Sequence, residues 1–291
     1  MKNILIQLDT DPHPSTFDRV VAVDAGVDEL FSYGGVTPKN VVPLVHGAMF
    51  TRGPDDLKQT ALFIGGSDVA AAEAVSAEVQ RTFFGPMRVS VLMDANGCNT
   101  TAAAAVLAAG KHLDLAGSEA LVLGGTGPVG RRVVQLLAMQ GASVRVASRS
   151  VSRAQAVCEA IAATIDSPRL TPHSTGSTGS TDECRSACEG IDLIVAAGAA
   201  GVELLSADVR SAIKTLRVAI DLNAVPPAGL AGLEPTDKTV ERDGAICYGA
   251  IGIGGTKMKI HKAAVALLFE SNDRVLDAAD VYRLGLSLAA R

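Results

Sequence analysis

Residues 121 to 137 leave the chain few choices besides strand, tight turn and helix. The apolar run Leu121-Val122-Leu123 reads as a buried strand. Gly124-Gly125-Thr126-Gly127-Pro128-Val129-Gly130 reads as a turn, and Arg131-Arg132-Val133-Val134-Gln135-Leu136-Leu137 as the helix that follows. Gly125, Gly127 and Gly130 stand in G-x-G-x-x-G register. Small residues at that spacing permit a tight turn, close approach of a pyrophosphate to the backbone, and close helix-to-strand packing. The helix start also presents unpaired N–H groups and the positive end of its dipole. Gly125, Thr126, Gly127, Pro128, Val129 and Gly130 thus form a candidate dinucleotide loop, although three glycines alone also suit a chain that only turns.

The next strand, Ser143-Val144-Arg145-Val146-Ala147, ends about twenty residues past the first motif glycine. A domain that prefers NAD places an acid there for the ribose 2′-hydroxyl. This chain has Ser148-Arg149-Ser150, then Ser152 and Arg153. Hydroxyls and guanidinium groups suit a 2′-phosphate, so Ser148, Arg149, Ser150 and Arg153 are read as cofactor contacts and the cofactor as NADP. The competing reading leaves both arginines solvated at the start of the following helix.

With 291 residues and 48% apolar content, the chain suits two cores better than one. Strand-like and helix-like patterns alternate from the start: Ile4 to Leu8, Ser15 to Ala25, Ala61 to Ile64, Val69 to Arg81, Val89 to Met93. Ser15 and Ser67-Asp68 are candidate helix caps. The alanine-rich stretch Asn99 to His112 predicts a helix leading into the second domain, with Lys111 to Gly117 finishing the crossing. Beyond the glycine loop, Ala154 to Thr164 reads as helix, and Ile191 to Gly198 and Val218 to Leu222 as buried strands. Lys257 to Phe269 and Ala278 to Leu288 read as closing helices. The expected architecture is α/β with two domains. A Rossmann-type parallel sheet spans 113–256, and a smaller α/β substrate domain spans 1–112, completed by the carboxyl-terminal helices of 257–291. Ligands are expected in a cleft at the carboxyl ends of the strands. The polar stretch Thr171 to Thr181 reads as a mobile surface loop, with His173 as part of a connector.

A net charge of −5 with 3% aromatic residues gives no broad basic surface and few stacking platforms, which argues against nucleic acid. No run approaches the roughly 20 apolar residues of a membrane span. The opening Met1 to Asp9 is too short and too soon acidic for a signal peptide, so the expected location is cytoplasmic. Cys98, Cys158, Cys184, Cys188 and Cys247 form no C-x-x-C pair, and reduced thiols without metal are expected. Neither an H-E-x-x-H nor a G-x-S-x-G pattern supports hydrolysis.

Two polar clusters fall at expected strand ends: Asp9-Thr10-Asp11, and Asp94-Ala95-Asn96-Gly97-Cys98-Asn99-Thr100-Thr101. The second offers a carboxylate, two amides and hydroxyls where a helix begins, a mixture suited to a heterocycle. Turn formation and capping by Asn99 or Thr100 account for part of it. A second glycine-rich run, Gly249 to Gly255, reads as a turn before the next helix, with Lys257 at the helix entrance. Those glycines suit either a nicotinamide against the backbone or a plain turn. A first helical turn does not favour cations, so Lys257 is read as facing an acidic or heterocyclic ligand, with a surface lysine as the competing reading.

Over nearly its whole length the sequence resembles the bacterial NADP-dependent methylenetetrahydromethanopterin dehydrogenases. The likeness is carried by Asp9-Thr10-Asp11, Pro14-Ser15, Phe17-Asp18, Tyr33-Gly34 with Val36-Thr37-Pro38, Thr51-Arg52-Gly53 and Asp94 through Ala104. Farther on it rests on Gly125 to Gly130, Asn223-Ala224 with Pro226-Pro227, Gly252 to Gly255 with Lys257 and Lys259, and Leu268-Phe269-Glu270-Ser271. The resemblance implies a homo-oligomeric enzyme that moves a hydride from the methylene carbon bridging two pterin nitrogens to the nicotinamide. The methenyl product delocalises its charge over those nitrogens, so orientation and electrostatics matter more than a protein base. It further implies catalytic roles for Asp94 and Lys257, Asp94 facing the developing charge or the pterin. Substrate contacts are expected from Asp18, Asn96, Asn99, Thr100 and Thr101, and cofactor contacts from Ala197, Asn223 and Gly254. Ser150 stands where family members often carry a second basic residue, which widens the expected cofactor use toward NAD.

Methylenetetrahydrofolate is the competing carrier, since the two pterins share the reacting ring. A cyclohydrolase side activity is disfavoured because Tyr33 is followed four residues later by Thr37 rather than lysine. The Asp94–Thr101 cluster does not resemble a shikimate-type motif. The alternative of another class is a non-catalytic NADP-binding sensor.

Overall fold

The computed structural model describes residues 1–175 and 182–290. The first hundred residues form β1 (Ile4–Asp9), α1 (Thr16–Asp24), β2 (Glu29–Tyr33), α2 (Val42–Phe50), β3 (Thr60–Gly65), α3 (Val69–Thr82), β4 (Ser90–Met93) and the start of α4 (Cys98–Gly110). There follow β5 (Glu119–Leu123), α5 (Pro128–Met139), β6 (Ser143–Ser148), α6 (Val151–Ala162), β7 (Arg169–Ser174), α7 (Asp182–Ala187), β8 (Leu193–Ala196), α8 (Ala207–Ala212), β9 (Val218–Asp221), β10 (Lys238–Arg242) and β11 (Ala245–Tyr248). The chain closes with α9 (Ala250–Leu267), β12 (Val275–Leu276) and α10 (Ala278–Ala289). Two compact units result. One joins Met1–Thr100 to the segment from Met258 onward; the other is Thr101–Lys257.

The first unit holds a five-stranded sheet in the order β12-β4-β3-β1-β2, with every pair parallel. Its central strand β3 is buried along its whole length, as expected where both faces of a parallel sheet are covered. The Ser15 hydroxyl accepts the Asp18 N–H and caps α1, while Asp68 Oδ1 accepts from Ala70 and Ala71 and caps α3. Each such cap contributes about 1 kcal/mol. A capping box between Asp277 and Asp280 starts α10, whose Val281 and Tyr282 are buried.

The second unit holds seven strands in the order β10-β11-β9-β8-β5-β6-β7, parallel except for the β10–β11 pair. Counted from β5, this is the doubly wound order that reverses between β5 and β8. Cys184, Cys188 and Cys247 pack into its core with Leu121, Ile194 and Ala219. All five cysteines are free and buried, and the described residues hold no cluster that could bind a metal. No helix among them is long and apolar enough to cross a membrane.

Two expectations need correction. Arg169 to Ser174, the first part of the presumed loop included, is strand β7: its backbone pairs in register with β6, so His173 lies opposite Ala147. The remainder of that stretch, 176–181, lies outside the described residues. The run Gly249 to Gly255 is no turn, because α9 already begins at Ala250. A Cβ on Gly252 would lie 1.7 Å from the Asp237 carbonyl oxygen, so the glycine lets the helix pack against the chain entering β10.

Candidate functional site

A pocket of about 450 Å³ opens at the carboxyl ends of β5, β6 and β8. Thr126, Gly127 and Pro128 line it from the first loop. Ser148, Arg149, Ser150 and Arg153 line it from the second, and Ala197 from the third. Gly124 turns the chain at φ +70°, and a Cβ there would lie 2.7 Å from the Gly198 backbone. Gly127 is the N-cap of α5, Pro128 occupies the first turn, and no side chain caps the helix. The first-turn amides of Val129 and Gly130 thus lack helical acceptors, which is how a helix start holds an anion.

The second loop is equally open to an anion. Ser148 is buried, its hydroxyl accepting from Thr126 Oγ1 at 3.3 Å, and Ser150 stands at the N-cap of α6 with its hydroxyl bonded to that of Ser152 at 2.8 Å rather than to the helix start. Arg149 and Arg153 are exposed. A cradle that side chains would fill, an uncapped helix start and two guanidinium groups fit a phosphorylated dinucleotide.

Gly125, Val129 and Gly130 do not line the pocket, and the two glycines serve packing. A Cβ on Gly130 would lie 2.3 Å from the Gly124 carbonyl oxygen, and one on Gly125 2.9 Å from Val146 Cγ1. Sequence reasoning missed Gly124, Thr175, Gly198, Ala199, Val202 and Leu204, which also line it. Gly198 could have been found, since it follows directly on an apolar strand at the side where ligands bind. Val202 and Leu204 carry no local pattern.

Asn223 sits apart from this pocket. Its Nδ2 donates to the Pro227 carbonyl at 3.0 Å and its Oδ1 accepts from Val225 N–H, so its side chain shapes its own loop. Burial pushes the neighbouring Asp221 carboxyl upward, opposed by bonds from the N–H groups of Leu230, Asn223 and Gly229. Gly254 and Lys257 lie inside α9. Lys257 is thus about two turns from the helix start, and the argument from a cation at a first turn does not hold for it.

In the first unit, Asp94 is 0% exposed. Its Oδ1 accepts from the N–H groups of Asn99 and Thr100 at 2.8 and 3.1 Å, and its Oδ2 from Thr100 Oγ1 at 2.6 Å. The cap acceptor of α4 is therefore Asp94, not Asn99 or Thr100 as the residue types suggested. Asn99 is buried, donating to the Met93 carbonyl, and Thr101 is half-buried. Asn96 is exposed at φ 51° and ψ 21°. Asp18 is half-buried in the first turn of α1; a Cβ on Gly65 would lie 3.7 Å from its Oδ2 and 3.2 Å from Asp9 Oδ2. Asp9, Asp18 and Gly65 thus gather where the sheet order reverses between β1 and β3.

A doubly wound sheet with a phosphate-compatible pocket at its strand ends, in a chain that also carries a second parallel α/β unit, marks an NAD(P)-dependent oxidoreductase. A family profile described as methylene-tetrahydromethanopterin dehydrogenase, N-terminal, matches residues 16–96. The chain is 42% identical to the bifunctional protein MdtA of Methylorubrum extorquens over 291 residues, 99% of each chain. It is 30% identical to the NAD(P)-dependent methylenetetrahydromethanopterin dehydrogenase of the same organism over 299 residues, again 99% of each. The chain belongs to the methylenetetrahydromethanopterin dehydrogenase family. Its fold is that of 5-ketofructose reductase of Gluconobacter sp. strain CHM43, with a TM-score of 0.52, 14% identity and 99% of each chain covered.

Proposed function

We propose that the chain transfers a hydride from the methylene group of methylenetetrahydromethanopterin to NADP, giving methenyltetrahydromethanopterin. The observation that carries this reading is the pocket at the ends of β5, β6 and β8, in a chain whose full-length relative is named for that reaction. Bound NADP supplies the nicotinamide that accepts the hydride. The Thr126 N–H and the free amide of Val129 at the uncapped start of α5 hold the pyrophosphate, and Arg149 with Ser148, Ser150 and Arg153 holds the 2′-phosphate. The exposed guanidinium groups leave NAD usable at lower affinity.

On the substrate side, Asn96 and Asp18 hydrogen-bond the pterin. Asp94 acts as a positioning residue: its buried carboxylate fixes the start of α4, and with it Asn99, Thr100 and Thr101. Lys257 positions ligand from the body of α9. Holding the two reactants in register supplies most of the acceleration, since hydride loss needs no proton transfer. The same reading makes the protein a cytoplasmic homo-oligomer, which light scattering on the purified chain tests.

The deciding experiment is a spectrophotometric assay of the purified protein with NADP and each methylene-pterin in turn. Turnover with methylenetetrahydromethanopterin is expected. Turnover only with methylenetetrahydrofolate would replace the carrier, and none with either would overturn the enzyme reading in favour of a binding protein.

A further inference from the structure

In the first unit the sheet order reverses between β1 and β3, and open parallel sheets bind ligands at the carboxyl-end crevice of such a reversal. Three loops are stitched together there. Asp11, after β1, accepts two hydrogen bonds from Ser67, after β3: the N–H to Oδ2 at 2.9 Å and the hydroxyl to Oδ1 at 2.8 Å. One residue earlier, the Gly66 carbonyl accepts the Asn96 N–H at 2.8 Å. Asn96 follows β4 and holds a left-handed backbone, which asparagine tolerates better than other residues with a Cβ.

Asp11 is itself anchored. Its N–H donates to Asp9 Oδ1 at 2.9 Å, and its carbonyl accepts the Gly35 N–H at 2.8 Å. Its carboxylate is not needed to cap α3, because Asp68 already does so. A carboxylate with two bonds across the reversal, and no capping duty, points to the shape of the crevice itself.

We propose that Asp11 is a positioning residue for the pterin, which through Ser67 and Gly66 fixes the backbone that presents the exposed Asn96 amide at the carboxyl-end face. The inference rests on the pterin reading above. It makes Asp11 and Ser67 one latch: breaking it loosens the β3 loop and the Asn96 backbone together, while the nucleotide pocket, built from residues after β5, β6 and β8, is untouched.

The test is steady-state kinetics on full-length Asp11→Asn, Ser67→Ala and the double variant, with melting temperature as the check on folding. Asp11→Asn is expected to raise KM for methylenetetrahydromethanopterin about tenfold, with KM for NADP within about twofold and kcat reduced less than KM rises. Ser67→Ala removes only the hydroxyl contact and raises the same KM about threefold. The double variant is expected to be no worse than Asp11→Asn, since the two act as a unit. An unchanged pterin KM, an equal rise in both KM values, or additive effects would overturn the latch. If Asp11→Asn melts too low to assay, Ser67→Ala decides on the same KM criteria. Absence of turnover by the unaltered chain would overturn this inference together with the function proposed above, whereas turnover with insensitive variants overturns this inference alone.

Discussion

Arg149 lines the pocket at the ends of β5, β6 and β8 from an exposed position, so its guanidinium can reach a phosphate without a large desolvation cost. Loss of one charge-assisted bond weakens binding by about 1.5–3 kcal/mol. Arg149→Ala is accordingly expected to raise KM for NADP about 10- to 100-fold and to leave KM for NAD nearly unchanged. The ratio of kcat/KM for the two cofactors measures this, and equal loss with both would reject the 2′-phosphate role. Gly130 answers to sterics instead. Its absent Cβ would meet the Gly124 carbonyl oxygen at 2.3 Å and Gly125 Cα at 2.9 Å, both backbone atoms that cannot swing aside. Gly130→Ala should therefore cost about 1–3 kcal/mol and lower the melting temperature along with NADP affinity. A variant with unaltered thermal unfolding would show that the turn yields more easily than its packing implies. Gly130 was legible in the sequence because its spacing specifies close packing, and Arg149 was read from its place after β6, the second strand of its unit. The sequence singled out Asp94, but only the fold reveals that its carboxylate accepts from Asn99 and Thr100 at the start of α4.

At the scale of elements, α5 was readable from its apolar period and glycine start, whereas the start of α9 was not. Gly249 to Gly255 has the composition of a turn, and what makes it helical lies elsewhere in the chain. Asp237 is the hub. Its carbonyl abuts Gly252, and its carboxylate accepts from Arg242 Nε and a terminal nitrogen at 2.9 and 2.7 Å and from the Glu234 N–H at 2.9 Å. Arg242 holds the Asp237 carboxyl below its ordinary value of 3.8. A carboxyl depressed in the folded state stabilises fully above its unfolded value and loses that contribution as pH falls through the folded one. Asp237→Asn should thus cost about 1.5–3 kcal/mol at neutral pH. Its melting curve should converge with that of the unaltered protein as pH falls below 3.8, and thermal unfolding across acidic pH checks this. A gap that persists at low pH would mean that shape, not charge, seats α9. Strand β7 escaped notice for a related reason: Arg169 to Ser174 has Leu170 and a proline as its only apolar residues, and its pairing with β6 makes it a strand.

The molecule as a whole divides unevenly along the chain. The second unit is one continuous stretch, Thr101–Lys257, whereas the first needs the carboxyl-terminal segment. That segment supplies β12 to the sheet edge and buries Ile260, Val265, Leu268, Val281 and Tyr282. At about 1.5–3 kcal/mol for each large side chain, its removal costs as much as the entire stability of an ordinary domain. A chain ending at Lys257 is expected to keep NADP affinity within about threefold while losing turnover and one unfolding transition. Calorimetric titration and melting together test this, and loss of NADP binding would show that the nucleotide unit depends on its neighbour. The sequence by itself determined the α/β class, the glycine loop and the basic cluster after the second strand of the nucleotide unit, because local sterics, periodicity and charge specify each. Only the tertiary structure decided that Asp94 caps α4, that Lys257 lies within a helix, and that Asp11 joins Ser67 across 56 residues. Those outcomes depend on partners distant in sequence, whose approach is set by strand order and packing rather than by any neighbouring residue.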